Sequence, residues 1–194
     1  MADQASEGLL SPYLRRQRLS AAMVHLKGRV LDVGCGSGAL ARNIAPDHYL
    51  GVDRDPLSLE IASSDHPGYR FQEELPAGDE KFDTVVALAV IEHVSSPAQF
   101  LSALARYLKP LATARIIIST PHPSMDWIHS GGAALGLFSQ HANDEHEELL
   151  DRAKLKSVGL SAGLRLVSYR RFLFGANQLA VFAPGDPIAA RRFP

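Results

Sequence analysis

The stretch Arg29-Val30-Leu31-Asp32-Val33-Gly34-Cys35-Gly36-Ser37-Gly38-Ala39-Leu40-Ala41 constrains this chain more than any other. Val30, Leu31 and Val33 form the short apolar run expected of a buried parallel strand. Three glycines follow at alternate positions. A residue without Cβ lets the backbone turn sharply and lets a ligand come close to it. Leu40, Ala41, Ile44 and Ala45 then return at helical spacing until Pro46, which predicts a helix whose unpaired N–H groups open on the turn. A strand, a glycine turn and a helix start, in that order, predict a site for a nucleotide cofactor.

The chain around this site alternates. Leu14, Leu19, Ala22, Met23 and Leu26 predict a helix ahead of the first strand. Strands are expected at 49–52, ending at Asp53, and at 69–71, 82–88 and 115–119. Between them fall a helix over 56–64, with Pro56 in its first turn, and one opened by Ser96-Pro97 and carrying Phe100, Leu101, Leu104, Ala105 and Leu108. Strict β/α alternation implies a parallel sheet covered on both faces. Residues 120–143, rich in proline and glycine, break the pattern and read as a covering loop. A helix over 145–158 follows. Strands over 164–172 and 178–182 then flank the turn residues Gly175 and Asn177, which predicts an antiparallel pair. With no repeat or linker, the chain is expected to form a single domain over 1–194. Its parts are an N-terminal helix region (1–28), a covering insertion (121–143) and a loose tail (184–194).

Charge narrows the partners. Twenty Lys and Arg against 21 Asp and Glu give a net charge of −1, with no basic excess to suggest nucleic acid. The single cysteine, Cys35, rules out an internal disulfide and suits a reducing compartment. The polar N-terminus lacks the order of a signal peptide, and no apolar run is long enough to span a bilayer. The expectation is a soluble, cytoplasmic protein without a membrane partner.

Two cofactors fit the turn. Gly34-x-Gly36-x-x-Ala39, with Asp53 on the second strand, satisfies the dinucleotide fingerprint and would suit an NAD-dependent oxidoreductase. Asp32 argues otherwise, because an acid two residues before the first glycine suits an amine and has no evident use beside a pyrophosphate. Phe82-Asp83-Thr84-Val85-Val86-Ala87-Leu88-Ala89-Val90-Ile91-Glu92-His93-Val94 closely resembles the fourth strand and following loop of class I S-adenosylmethionine-dependent methyltransferases. Residues 30–38 resemble that family's first motif, Gly51-Val52-Asp53 its ribose-binding acid, and residues 115–121 its fifth strand. The resemblance implies a three-layer, Rossmann-like α/β sandwich whose seven-stranded, mostly parallel sheet ends in a C-terminal antiparallel hairpin.

Matched residue by residue, the resemblance places S-adenosyl-L-methionine on Asp32, Gly34, Cys35, Gly36 and Gly38. Asp53 takes the ribose hydroxyls with Arg54 beside it, and Leu88 and Ala89 form the wall near the sulfonium. The adenine contact has no clean match in Phe71-Gln72-Glu73-Glu74, leaving Gln72, Glu73 or backbone groups alone. Arg18 is a further candidate for the methionine carboxylate, against the simpler reading of a solvated helix face. His93 and His122 follow the fourth and fifth strands, where a base for a hydroxyl acceptor is expected; the bland alternative for His93 is a loop anchor. Glu92 reads as a packing acid. Trp127, His129 and Phe138 are candidate acceptor contacts or ordinary loop packing. His141, Asp144, Glu145, His146 and Glu148 could ligate a metal, but a solvated helix start explains them more simply, and no metal is expected. The reading is methyl transfer to a small-molecule acceptor, on oxygen because histidines gather at that edge. The alternatives are an NAD-dependent oxidoreductase and a non-catalytic S-adenosylmethionine-binding protein.

Overall fold

A computed structural model describes residues 11–77, 79–123 and 150–185. Seven strands form one sheet: β1 (Val30–Val33), β2 (Tyr49–Val52), β3 (Arg70–Gln72), β4 (Thr84–Leu88), β5 (Arg115–Pro121), β6 (Leu164–Phe172) and β7 (Asn177–Pro184). Their order is β3-β2-β1-β4-β5-β7-β6, parallel through β5, with β7 antiparallel to both neighbours. The order reverses between β1 and β4, and at such a switch point the C-terminal strand ends open a crevice for ligands. Pro184, expected in the loose tail, instead pairs with Leu164 at the end of β7; residues 186–194 lie outside the described residues.

Four α-helices are described: α1 (Ser11–Met23), α2 (Pro56–Asp65), α3 (Pro97–Ala105) and α4 (Arg152–Ser161). Alternation along each strand feeds two cores. Leu31, Val85, Ile116 and Ile118 point to one face and pack with Leu101 and Leu104 of α3 and Leu155 of α4. Val30, Val86 and Ile117 point to the other and meet Ala21 and Ala22 of α1 with Leu40 and Ala41. Pro56 sits in the first turn of α2, where its missing N–H costs nothing, and Asp55 caps that helix through the amides of Leu57 and Ser58. The helix expected over 145–158 is α4, which begins later because Asp151 caps it by accepting from the Lys154 amide. No helix among the described residues is long and apolar enough to cross a membrane.

One expected element is absent. No α-helix follows the glycine turn. The Gly38, Ala41, Asn43 and Ile44 amides each bond the carbonyl three residues back, and the only helical pieces there are 3₁₀ turns at Ala41–Asn43 and Pro46–His48. Gly38 is left-handed (φ +76°), and only residues 39–45 separate it from Pro46. Aromatic rings pack beneath the turn instead. Tyr49 meets Tyr69 and Phe71 edge-on at centroid distances of 5.8 and 5.7 Å, and the Tyr69 hydroxyl donates to the Ile44 carbonyl at 2.8 Å. The anion-attracting N-terminus of a long helix is therefore not part of this site.

Candidate active site

A cleft of about 930 Å³ opens at the C-terminal edge of β1 and β4. Its walls are α1 (Arg15, Arg18, Leu19), the turn at Gly34–Ser37 with Ala39 and Leu40, α2 (Leu57, Ser58, Ile61), Leu88 at the end of β4, and Asp32. Gly34, Gly36 and Gly38 are all left-handed (φ +75°, +51° and +76°). A Cβ on Gly34 would fall 2.5 Å from Val90 Cγ2, whereas one on Gly36 would project into open space. Gly34 thus lets the chain pass close to the β4 loop, and Gly36 presents bare backbone.

Asp53 ties this turn to β2. One carboxylate oxygen accepts from the Gly36 amide at 2.7 Å and the other from the Asp55 amide at 3.0 Å. A carboxylate has about four acceptor positions, so two remain for hydroxyls. Asp32 is enclosed, only 4% exposed, and the Tyr49 hydroxyl donates to its Oδ2 at 2.8 Å. Burial pushes its carboxyl up to about 7, the Tyr49 hydrogen bond opposes this, and the Asp53 charge adds to it. The buried Cys35 thiol is pushed up as well, by burial first and then by Asp32 and Asp53, so it has no thiolate character. Arg18 reaches across from α1, where its Nε donates to Asn177 Oδ1 at 3.2 Å. Burial lowers its pKa, with Glu92 acting to restore it.

Not every expected residue lines the cleft: Gly38, Asp53 and Ala89 stand beside it rather than in its wall. Arg54 is exposed and Gln72 half-buried; the Gln72 amide donates to the Glu74 carbonyl at 2.6 Å; neither residue, nor exposed Glu73, lines the cleft. Ala89 turns the chain after β4 with φ +57°, and its amide bonds the Ser119 carbonyl. His93 is exposed on the 3₁₀ turn Ile91–His93. His122 is half-buried just past β5, its pKa lowered by burial and by Arg171, with Asp151 opposing. Neither histidine lines the cleft. Trp127, His129 and Phe138 lie outside the described residues, as do His141, Asp144, Glu145, His146 and Glu148.

A polar group that sequence reasoning passed over sits at the same edge. Leu88 pairs with Ser119, so the ends of β4 and β5 adjoin. There Glu92 Oε2, Ser119 Oγ and Thr120 Oγ1 are buried without a hydrogen-bond partner among the described residues, in residues 8%, 0% and 1% exposed. Burial holds the Glu92 carboxyl above its ordinary range, against the pull of its own backbone N–H, His93, Arg18 and Thr120. The Thr120 hydroxyl is near enough to act on it but makes no hydrogen bond of good geometry. An unsatisfied buried polar group costs about 1–3 kcal/mol, which a ligand group can recover. In sequence, Glu92 looked like any loop acid and Tyr49 like an ordinary strand residue.

Comparison with known proteins decides between the two cofactor readings. The profile of the methyltransferase-domain family matches residues 8–169. This chain belongs to the methyltransferase-domain family. Among curated relatives, the ubiquinone biosynthesis O-methyltransferase of Aeromonas salmonicida is 28% identical over 70% of this chain and 62% of its own length. The homonymous enzyme of Hahella chejuensis is 37% identical over 42% of this chain and 39% of its own. The chain thus spans about two-fifths to three-fifths of these relatives. Among solved structures, a methyltransferase of Thermotoga maritima, described as a possible histamine N-methyltransferase, superposes with a TM-score of 0.69 at 18% identity, over 90% of this chain and 95% of the other. Magnesium protoporphyrin IX methyltransferase of Synechocystis with bound S-adenosylhomocysteine gives 0.64 at 17%, over 89% and 83%. The nicotinamide reading is therefore set aside. For this methyltransferase family the donor is S-adenosylmethionine, and the bare backbone at Gly36, the free acceptor positions of Asp53 and the cleft volume fit such a group.

Proposed function

We propose that this protein transfers the methyl group of S-adenosylmethionine to a hydroxyl oxygen of a small-molecule acceptor. The observation that carries the reading is the adjacency, at one sheet edge, of the glycine-turn cleft and the unpartnered Glu92, Ser119 and Thr120. In this reading Gly34, Cys35, Gly36 and Gly38 bind through their backbone, Asp53 takes the ribose hydroxyls, and Leu88 and Ala89 border the reacting carbon. Arg18, steadied by Asn177, takes the methionine carboxylate. Gln72 and Glu73 remain the adenine-side candidates, with Arg54 at the rim.

S-Adenosylmethionine supplies a methyl carbon on a sulfonium, whose departure as a neutral thioether makes the displacement favourable. The chain has to align the acceptor oxygen and keep water away. A hydroxyl also has to lose its proton. Glu92 is a carboxyl raised by burial, with one oxygen unpartnered, and so joins His93 and His122 as a base. The names of the curated relatives, which end in O-methyltransferase, support an oxygen acceptor.

The test is incubation of the purified protein with methyl-labelled S-adenosylmethionine and, separately, 3,4-dihydroxybenzoate, catechol and histamine, followed by mass spectrometry. Labelled methyl on a phenolic oxygen is the expected product. Transfer to histamine alone overturns the oxygen assignment. S-Adenosylhomocysteine binding without transfer to any probe favours the non-catalytic alternative.

A further inference from the structure

Asp32 and Tyr49 form a pair whose chemistry goes beyond holding the turn in shape. Asp32 lines the cleft, yet its only described side-chain partner is the Tyr49 hydroxyl on Oδ2, which leaves Oδ1 without a described donor. Tyr49 cannot move aside. It is 3% exposed, clamped edge-on by Tyr69 and Phe71, and its own proton is held firmly by burial and by Asp32. A neutral hydroxyl is a weak partner for a buried carboxylate, and burial without a cation favours the neutral acid.

We propose that Tyr49 is a positioning residue that aims Asp32 at the ammonium group of the donor's methionine end. Before the donor binds, Asp32 is a neutral acid, and it ionises when the ammonium arrives. The proposal rests on the cleft being the S-adenosylmethionine site. The step balances: the Asp32 O–H bond breaks, its electron pair stays on the carboxylate, and the proton leaves to solvent. The donor's ammonium keeps its own protons and becomes the counterion. No redox partner is required.

The charges around Asp32 agree with this. From β2 it faces Tyr49 and Asp53, and Asp53 disfavours a second negative charge nearby. The Cys35 thiol on the turn stays neutral. Asp55 and Glu60 at the start of α2 add negative charge along the same cleft, while Arg15 and Arg18 stand on the α1 wall. Neither arginine is a resolved influence on Asp32. A cation brought within about 4–6 Å lowers a carboxyl pKa by roughly 1–3 units, enough to move a group poised near neutrality to full ionisation.

The experiment is isothermal titration of the whole protein with S-adenosylhomocysteine, which carries the same ammonium, in buffers of different ionisation enthalpy. At pH 6.5 wild type should release roughly 0.5–0.75 proton per ligand, and at pH 8.5 less than about 0.1, because the carboxyl is then already ionised before the ligand binds. Asp32→Asn should bind without proton release at either pH. Tyr49→Phe keeps the ring in its cluster but removes the donor, so release should persist to higher pH and affinity at pH 7 should fall about tenfold. Tight binding by wild type with no proton release at pH 6.5 overturns the proposal and leaves the donor site standing. A Tyr49→Phe proton count identical to wild type at every pH removes the positioning role. Failure of wild type to bind S-adenosylhomocysteine at all refutes the donor site, and this proposal with it.

Discussion

Replacing Asp32 with asparagine should make the protein's stability respond differently to pH. The side chains are nearly isosteric, and the amide oxygen can still accept the Tyr49 hydroxyl. In wild type, burial raises this carboxyl from 3.8 to about 7. A native state that binds a proton more tightly than the unfolded chain is favoured at low pH. That advantage is fully present below about pH 3.8 and is lost as pH rises through about 7. At pH 5 the native carboxyl is almost wholly protonated and the unfolded one almost wholly ionised; at pH 8 both are ionised. Between those two values wild type should lose about 3 kcal/mol through this residue alone, at about 1.4 kcal/mol per pKa unit. Asparagine cannot titrate, and the other groups titrate in both chains and cancel to first order. The stability of Asp32→Asn relative to wild type should therefore improve by about 3 kcal/mol from pH 5 to pH 8. Urea unfolding of both proteins at the two pH values measures the gap directly. A gap that changes by less than about 1 kcal/mol would falsify the claim that Asp32 is an uncompensated buried acid in the ligand-free fold.

Two further substitutions probe the backbone around the site. At Ala89, φ is +57°, so glycine should be tolerated within about 0.5 kcal/mol because relief of left-handed strain offsets added chain entropy. Valine there should cost more than about 1 kcal/mol in thermal or urea unfolding, and equal stability of the two variants would remove the strain argument. At Gly51, an added methyl would stand 2.6 Å from Phe71 Cδ1 and 2.9 Å from Cys35 Sγ. Gly51→Ala should destabilise by about 1–3 kcal/mol and weaken S-adenosylhomocysteine binding by pushing Cys35 and the turn outward; unchanged affinity on calorimetry would show that the turn does not rest on that contact.

The legible parts of this protein were those written in local pattern. Apolar runs such as Arg115–Pro121 and the residues of β4 declare buried parallel strands because a side chain's exposure there depends on its own neighbours. The helix expected after the turn failed for the opposite reason. Leu40, Ala41 and Ile44 have helical spacing, but the space beneath them is taken by Tyr49 of β2, Phe71 of β3 and Tyr69 just before β3. Spacing reports which face of a segment is apolar, and it does not report what occupies the volume that face meets. Glu92 shows the same limit, since its unpartnered oxygen follows from where β4 and β5 end relative to one another.

The sequence by itself determined the order of the strands, the glycines of the turn and the acids that flank it. Those properties belong to single residues and their immediate neighbours. Tertiary structure decided the state of these groups. Burial holds the Asp32 carboxyl high against the hydrogen bond of a tyrosine 17 positions away, and Arg18 is fixed by an asparagine 159 positions away. Burial and pairing depend on which distant segments the fold brings within a few ångströms, and one-dimensional spacing carries no measure of that distance.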